Sequence, residues 1–186
     1  MKEILASNKM ASFVRDSEHY LGRIAGIFLH IVLFLFFVRF FIVDGGISDG
    51  ASMEPTIKDN KIFFIEKVSS LIFPFQRFDL IQHADPQDND RFLVKRIVGL
   101  PGETVIFRDN GVFIRPSDSE EYRLTESYLR RDSINTVSFG SAYEYTVPAN
   151  SYFVLGDNRQ SSRDSRVYGP VHRALITGKV FLTNVP

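Results

Sequence analysis

The chain has 186 residues, is 44% hydrophobic and 24% charged, and carries no formal net charge; that suits one globular domain plus an appendage and leaves little room for a second core. No dense block of Lys and Arg interleaves with aromatics, so nothing electrostatic selects nucleic acid as a partner. Cysteine is absent, which excludes disulfides, thiolate metal sites and a cysteine nucleophile, and His19, His30, His83 and His172 are scattered without the paired spacing of a zinc site.

Residues 1–23 carry Lys2, Lys9, Arg15 and Arg23 and precede a run, Ile24 to Val43, whose only strongly polar side chains are His30 and Arg39. Twenty residues at helical rise span about 30 Å, the thickness of a hydrocarbon core. Asp44 and Asp49 follow and the next cation is Lys58, so the positive-inside bias predicts a single-pass helix over 24–43, a cytoplasmic tail over 1–23 and an outward-facing remainder, 44–186. Arg39 near the outer end can extend its head to the lipid headgroups; His30 has no such account. A cleavable signal peptide fits poorly, because the run exceeds a 7–15-residue apolar region and no Ala-x-Ala-like site follows. A buried core helix apolar on every face would need a larger protein around it.

Beyond Val43 the texture changes to short β-branched and aromatic runs broken by Pro, Gly, Asn and Asp, the pattern of a mainly β domain. Strands are expected over Lys61–Lys67, Asp79–His83, Phe92–Val98, Thr104–Phe107, Val112–Arg115, Tyr143–Val147, Tyr152–Leu155 and Gly178–Thr183, with Asp109-Asn110-Gly111 turning the fourth into the fifth. Pro116–Ser141 is polar and weakly patterned and is expected as a surface excursion. Leu71-Ile72-Phe73-Pro74-Phe75 is an apolar cluster that Pro74 keeps out of a central strand, leaving core and bilayer contact as its two readings.

Two features carry chemistry. The heptad Gly50-Ala51-Ser52-Met53-Glu54-Pro55-Thr56 begins six residues past the apolar run, and Lys95 sits in the strand-like stretch Phe92–Val98. Serine becomes a competent nucleophile when a base takes its proton, and a lysine amine can do so only when neutral. Lowering a lysine from about 10.4 to near 7 costs on the order of 4–5 kcal/mol, which burial among apolar groups can impose. In an extended strand Leu93 and Ile97 share the Lys95 face, so the amine is expected in an apolar layer. The competing reading is that Lys95-Arg96 is a solvated basic pair.

Four motifs occur in one order: Ser52-Met53-Glu54-Pro55-Thr56, then Arg77-Phe78-Asp79-Leu80-Ile81, then Lys95-Arg96-Ile97-Val98-Gly99-Leu100-Pro101-Gly102-Glu103, then Gly156-Asp157-Asn158-Arg159-Gln160-Ser161-Ser162-Arg163-Asp164-Ser165-Arg166. With the preceding span and the closing Gly178-Lys179, this order resembles the bacterial type I signal peptidases, membrane-bound serine endopeptidases of the S26 family. The resemblance implies an outward-facing β catalytic domain of antiparallel sheets on one transmembrane helix, working without metal or cofactor. It makes Ser52 the nucleophile and Lys95 the general base, with Ser162 orienting the Lys95 amine. The Ser52 backbone N–H is expected to donate to the oxyanion. Some family members place a second donor, a serine hydroxyl, two positions before the nucleophile; Gly50 stands there and supplies backbone only.

The same resemblance pairs Arg96 with Asp157 and Arg166 with Asp164 as structural supports, and lines the substrate pocket with Met53, Ile57 and Val94. A small apolar pocket favours Ala-x-Ala ahead of the cut. Secretory preproteins delivered by the export machinery and the lipid bilayer are the implied partners, and the cell's inner membrane is the implied location. A catalytically silent relative acting as an assembly chaperone for secreted or pilus subunits is the alternative, although it has no chemical need for both Ser52 and Lys95. A self-cleaving Ser/Lys repressor would carry a DNA-binding module where residues 1–43 carry an apolar span, and an organellar peptidase would differ only in address.

Overall fold

A computed structural model describes residues 2–129 and 143–181. The chain divides into two compact units, Met1–Ile42 and Val43–Pro186. The first is helix α1, Lys2–Phe37, followed by a π-helical turn over Val38–Ile42. Within it Tyr20–Phe37 is long and apolar enough to cross a membrane by length and composition, and its Ile, Leu, Val and Phe side chains are exposed. The helix runs well N-terminal of the expected start at Ile24, while Val43, the expected last residue of the span, opens the first strand. His30 now has an account: its Nδ1 lies 2.7 Å from the Gly26 carbonyl one turn back, so its N–H bond is made within the helix.

The second unit is built of antiparallel strands. They are β1 (Val43–Ile47), β2 (Ile62–Glu66), β3 (Leu80–Asp85), β4 (Asp88–Gly99), β5 (Thr104–Arg108), β6 (Gly111–Arg115), β7 (Tyr122–Arg123), β8 (Tyr143–Thr146), β9 (Ser151–Leu155), β10 (Val171–His172) and β11 (Ile176–Phe181). Two short helices, α2 (Ser69–Ile72) and α3 (Ser165–Tyr168), interrupt them. Seven strands form one sheet in the order β1-β2-β11-β3-β4-β9-β10, and four form a second, β7-β6-β5-β8. Each expected strand is found, its ends either coinciding or shifted by up to four residues; Thr183, the expected end of the last, lies outside the described residues.

Strand β1 was not expected, because Val43-Asp44-Gly45-Gly46-Ile47 lacks the β-branched density of a strand; it is held by pairing with β2, Val43 opposite Glu66 through Ile47 opposite Ile62. The β5–β6 hairpin turns through Asp109 and Asn110, at φ 48° and 54°, with Gly111 already in the strand opposite Arg108. Asp and Asn tolerate that left-handed geometry, and both central residues of this hairpin turn require it.

The apolar core lies in three clusters. Val98, Val105, Phe107, Val112, Ile114, Val147, Phe153 and Leu155 join the two sheets, while Phe75, Ile81, Ile97, Tyr152, Val154 and Val171 form a second group. Met53 and Ile57 pack with Phe63, Ile65 and Val180 in the third. In the apolar cluster at 71–75, Phe75 is buried in the core, whereas Leu71, Ile72 and Phe73 are exposed.

Part of the expected excursion is fixed to this core. Leu124 is buried in the first cluster, and Glu126 takes the buried guanidinium of Arg159. Tyr128 lies under Arg96, whose guanidinium carbon is 4.0 Å from the ring centre, and meets Phe78 edge-on. The polarity of the segment concealed these anchors because two of them, Glu126 and Tyr128, are polar residues half-buried against an arginine. Residues 130–141 of the expected excursion lie outside the described residues.

Candidate active site

Ser52 sits in the turn between β1 and β2, and the turn is fixed at several points. Met53 and Ile57 are 3% and 2% exposed in the third core cluster, so burial holds the residue after the serine as well as the end of the loop. Asn158 N–H donates to the Ser52 carbonyl at 3.0 Å and its side-chain amide to the Ala51 carbonyl at 3.1 Å. Thr56 Oγ1 donates to Asp157 Oδ2 at 2.5 Å, and Asp59 accepts from the Gly50 N–H at 2.8 Å.

Lys95 lies on β4 directly opposite Ile81 of β3. It is 2% exposed, so the solvated-pair reading of Lys95-Arg96 is excluded. Its Nζ is 3.0 Å from Ser52 Oγ and donates to the Val94 carbonyl at 2.9 Å. Burial pushes the amine down from its ordinary 10.5 to about 8; Asp164 and Asp157 draw it up, while Arg91 and Arg163 push it down. The serine and lysine predicted from the motifs are thus brought within hydrogen-bond distance, with the lysine shifted toward the neutral form that a base requires.

The expected bond between Ser162 and Lys95 is not formed. Ser162 Oγ is buried and has no hydrogen-bond partner among the described residues, while the lysine amine is directed to Ser52 and Val94. Ser162 instead packs against Gly156, where an added Cβ would fall 2.5 Å from both the Ser162 Cβ and the Ser52 carbonyl oxygen. Gly156 is therefore the point at which the last motif closes on the Ser52 turn.

Both expected ion pairs are present. Arg96 Nε and Nη2 donate to the two oxygens of Asp157 at 2.8 and 2.6 Å. Arg166 Nε and Nη2 donate to the two oxygens of Asp164, each at 2.8 Å. Asp164 also accepts from the Gly156 N–H at 2.9 Å and caps α3 through Arg166 N–H. The closing Lys179 pairs with Asp79 of the second motif at 2.5 Å.

Gly50 contributes differently from expected. Its N–H is engaged by Asp59, a Cβ there would meet nothing within 4 Å, and its φ is 100°. Glycine is required by that left-handed backbone, not by crowding. The Ser52 N–H makes no hydrogen bond among the described residues.

A cleft of about 240 Å³ opens beside the pair, lined by Ser52, Lys95, Met53, Ile57 and Val94 together with Gly50, Phe63, Gln82, Arg91 and Leu93. All three residues expected in the substrate pocket are on its wall. Thr56, Asp59 and Asn158 were not foreseen as supports; Thr56 and Asn158 stood inside quoted motifs, but their partners are a loop apart or more in sequence, and spacing alone does not disclose such contacts. Among the described residues no three His, Asp or Glu side chains converge as a metal site would need.

The family profile described as "Signal peptidase, peptidase S26" matches residues 21–184. The chain belongs to the S26 signal peptidase family. Signal peptidase I of Bacillus licheniformis is 33% identical over 143 residues, covering 77% of this chain and 76% of that protein. Signal peptidase I of Streptococcus pneumoniae (strain TIGR4) is 29% identical over 185 residues, covering 83% and 88%. A crystal structure of a signal peptidase I from Enterococcus faecalis aligns with 57% of this chain and 97% of its own, at 36% identity and a TM-score of 0.47. Family membership makes the chain a signal-peptide-removing serine endopeptidase, and the apolar helix and antiparallel β unit expected of such a peptidase are both present.

Proposed function

We propose that this signal peptidase cleaves secretory preproteins with a Ser52/Lys95 dyad, cutting after small residues on the outer face of the inner membrane. The observation that carries this reading is the 3.0 Å approach of Lys95 Nζ to Ser52 Oγ. With the amine neutral, its lone pair accepts the Ser52 hydroxyl proton as Oγ attacks the scissile carbonyl. The Ser52 N–H then donates to the oxyanion, and the Lys95 ammonium returns its proton to the leaving amine. An acyl-enzyme remains, and the neutral lysine next takes a proton from the deacylating water.

A neutral amine has two N–H bonds and one lone pair. The Val94 carbonyl takes one N–H and Ser52 addresses the lone pair, which leaves one N–H for an acceptor. Ser162 supplies it when its buried, unpartnered hydroxyl turns toward the amine; that is the orienting role assigned to Ser162. Arg96, Asp157, Asp164 and Arg166 hold the framework. Met53, Ile57 and Val94 bound a cleft whose modest volume favours Ala ahead of the cut.

Anchoring follows from α1: an apolar helix tethered to the catalytic unit confines enzyme and membrane-held substrate to one surface and raises their effective concentration. The positive residues ahead of the span support a cytoplasmic N-terminus, with preproteins reaching the site from the export machinery. The silent-chaperone reading has no observation in its favour, since a binding-only protein gains nothing from a lysine buried beside a serine.

The deciding assay incubates detergent-solubilised wild type, Ser52→Ala and Lys95→Ala with a preprotein bearing an Ala-x-Ala site. Loss of cleavage in both variants is expected, and cleavage by either refutes the dyad. Orientation is read by introducing single cysteines into this cysteine-free chain and labelling intact cells from outside. Labelling in the 44–186 region but not in 1–23 is expected, and the reverse pattern overturns the topology.

A further inference from the structure

Among the described residues the second sheet supplies no side chain to the cleft beside Ser52 and Lys95, yet the chain that leaves it reaches the site by direct contacts. Strand β7 pairs with β6, Phe113 opposite Arg123, and the next residue, Leu124, donates its N–H to the Val112 carbonyl at 2.8 Å. Leu124 is buried in the first core cluster, so the start of the stretch 124–128 is fixed. Two side chains of that stretch then meet two separate clamps on the Ser52 turn. Glu126 is the first: both its oxygens accept from the Arg159 guanidinium, Oε2 from Nη1 at 3.2 Å and Oε1 from Nη2. Arg159 is 5% exposed; its Nε donates to the Gly156 carbonyl at 3.0 Å, and its own carbonyl accepts from Arg166 Nη2 at 2.9 Å. Between Gly156 and Arg159 lies Asn158, which holds the Ser52 and Ala51 carbonyls at 3.0 and 3.1 Å. Tyr128 is the second: its ring centre is 4.0 Å from the guanidinium carbon of Arg96, whose partner Asp157 accepts from Thr56 of the same turn. The Tyr128 hydroxyl donates to Glu126 Oε1 at 2.6 Å; burial, and then Glu126, push its phenol above the ordinary range, so it remains a donor.

We propose that residues 124–128 form a strap that sets the position of Ser52, with Glu126 and Tyr128 as positioning residues acting through Arg159 and Arg96. As an activity claim this rests on Ser52 being the nucleophile. The two-pronged Glu126–Arg159 pair fixes the direction of the guanidinium as well as holding it, and that direction decides where Nε grips the Gly156 carbonyl. Without Glu126 a buried guanidinium lacks its carboxylate and must turn toward another partner or toward water. The loop 156–159 then shifts, and Asn158 carries the shift to the Ser52 carbonyl. Met53 and Ile57, which line the cleft, are held separately by the third core cluster. The loss therefore falls on the 3.0 Å approach of Lys95 to Ser52 and much less on the wall that receives substrate.

The experiment measures kcat and KM of the full-length detergent-solubilised enzyme on an Ala-x-Ala preprotein, and amide hydrogen exchange of the same samples without substrate. Glu126→Gln should lower kcat about tenfold and change KM less than about twofold, a smaller displacement than the 1 Å that costs about 100-fold. Glu121→Gln is the control: Glu121 belongs to the same excursion but pairs with Arg108, and this variant should match wild type. The Glu54 and Ile57 amides, bonded within the turn to the Ala51 and Met53 carbonyls, should exchange faster in Glu126→Gln while those of β3 keep their wild-type rates. Because Glu126 acts through Arg159, adding Glu126→Gln to Arg159→Met should lower kcat no further. If these variants do not fold, Tyr128→Phe replaces them: it deletes only the hydroxyl bonded to Glu126, and should loosen the turn amides and lower kcat in the same direction. Turn exchange that stays at the wild-type rate, exchange raised throughout the chain, or an unchanged kcat overturns the proposal. Cleavage that survives in Ser52→Ala would instead overturn the nucleophile, and the exchange rates would still decide whether the strap fixes the turn.

Discussion

Arg96 and Asp157 form a two-pronged pair, with Nε and Nη2 of the guanidinium on separate carboxylate oxygens at 2.8 and 2.6 Å. The arginine is the neighbour of Lys95 on β4 and the aspartate belongs to the loop that clamps the Ser52 turn, so one pair joins the two halves of the candidate site. Thr56 donates to the same carboxylate, the Phe78 carbonyl accepts from Arg96, and Tyr128 lies beneath its guanidinium plane. The Asp157 side chain is 1% exposed and that of Arg96 10%, so removal of either leaves a buried charge without its partner.

That pair gives the first prediction. Asp157→Ala should destabilise the protein by about 3–5 kcal/mol, the range for breaking a buried ion pair from one side. Arg96→Lys should recover little, because an ammonium cannot reproduce the planar fork. Denaturant unfolding of the two variants checks both statements, and a loss below about 1 kcal/mol for Asp157→Ala would contradict the first.

The second prediction concerns Lys95, whose buried amine binds its proton with a midpoint near 8 instead of 10.5. In the proposed dyad the lysine works only when neutral, so kcat/KM should rise with pH through a limb near 8. The linkage has a matching sign. Between pH 8 and 10.5 the unfolded chain holds the proton that the folded chain has released, so folding stability increases with pH across that window, and below pH 8 the protein carries the full penalty. A shift from 10.5 to about 8 corresponds to roughly 3 kcal/mol. Lys95→Met should therefore be inactive and, at pH 7, more stable than wild type, with a gain that shrinks toward zero by pH 10.5. Chemical unfolding at pH 7 and pH 10 measures this; a variant less stable than wild type at pH 7 contradicts it.

Much of this site was legible in the sequence because its chemistry resides in contiguous motifs. Ser52, Lys95 and the Arg96–Asp157 and Arg166–Asp164 pairs were implied by the resemblance of the ordered motifs to the S26 family, and the β texture located eight strands. What was not legible depends on partners distant in sequence. Strand β1 exists through its pairing with β2, and the Glu126–Arg159 contact joins residues 33 apart. His83 and Asp85 look like ordinary polar residues on an alternating strand until Tyr168 and Arg163 are seen to cover them. The Ser162 rotamer is likewise beyond a motif, which specifies a position and not the direction of a hydroxyl.

His83 supplies a third prediction. Burial depresses it from 6.5 to about 4. Above pH 6.5 the ring is neutral in both states and imposes no penalty; as pH falls from 6.5 toward 4 the unfolded chain takes up a proton that the folded chain refuses, and stability is lost. The full loss is about 3 kcal/mol by the same conversion. His83→Phe should flatten this segment of the stability profile between pH 6.5 and 4. A variant profile parallel to wild type across that range would show that another group carries the acid sensitivity.

The last prediction separates two glycines near Ser52. At Gly156 a methyl group would lie 2.5 Å from the Ser52 carbonyl oxygen and from the Ser162 Cβ, well inside contact distance and against backbone that Asn158 already holds at 3.0 Å. Gly156→Ala must push the Ser52 turn away from Lys95, and a displacement near 1 Å in a positioned pair costs about 100-fold in rate. Gly50→Ala meets open space but must hold φ near 100°, a backbone strain of about 1–2 kcal/mol that acts on stability. The expected result is a kcat lower by at least about 100-fold for Gly156→Ala, against a lowered Tm with kcat reduced much less for Gly50→Ala. Equal kcat losses in the two variants would mean that Gly50 also sets the serine–lysine distance, through the hydrogen bond its N–H makes to Asp59.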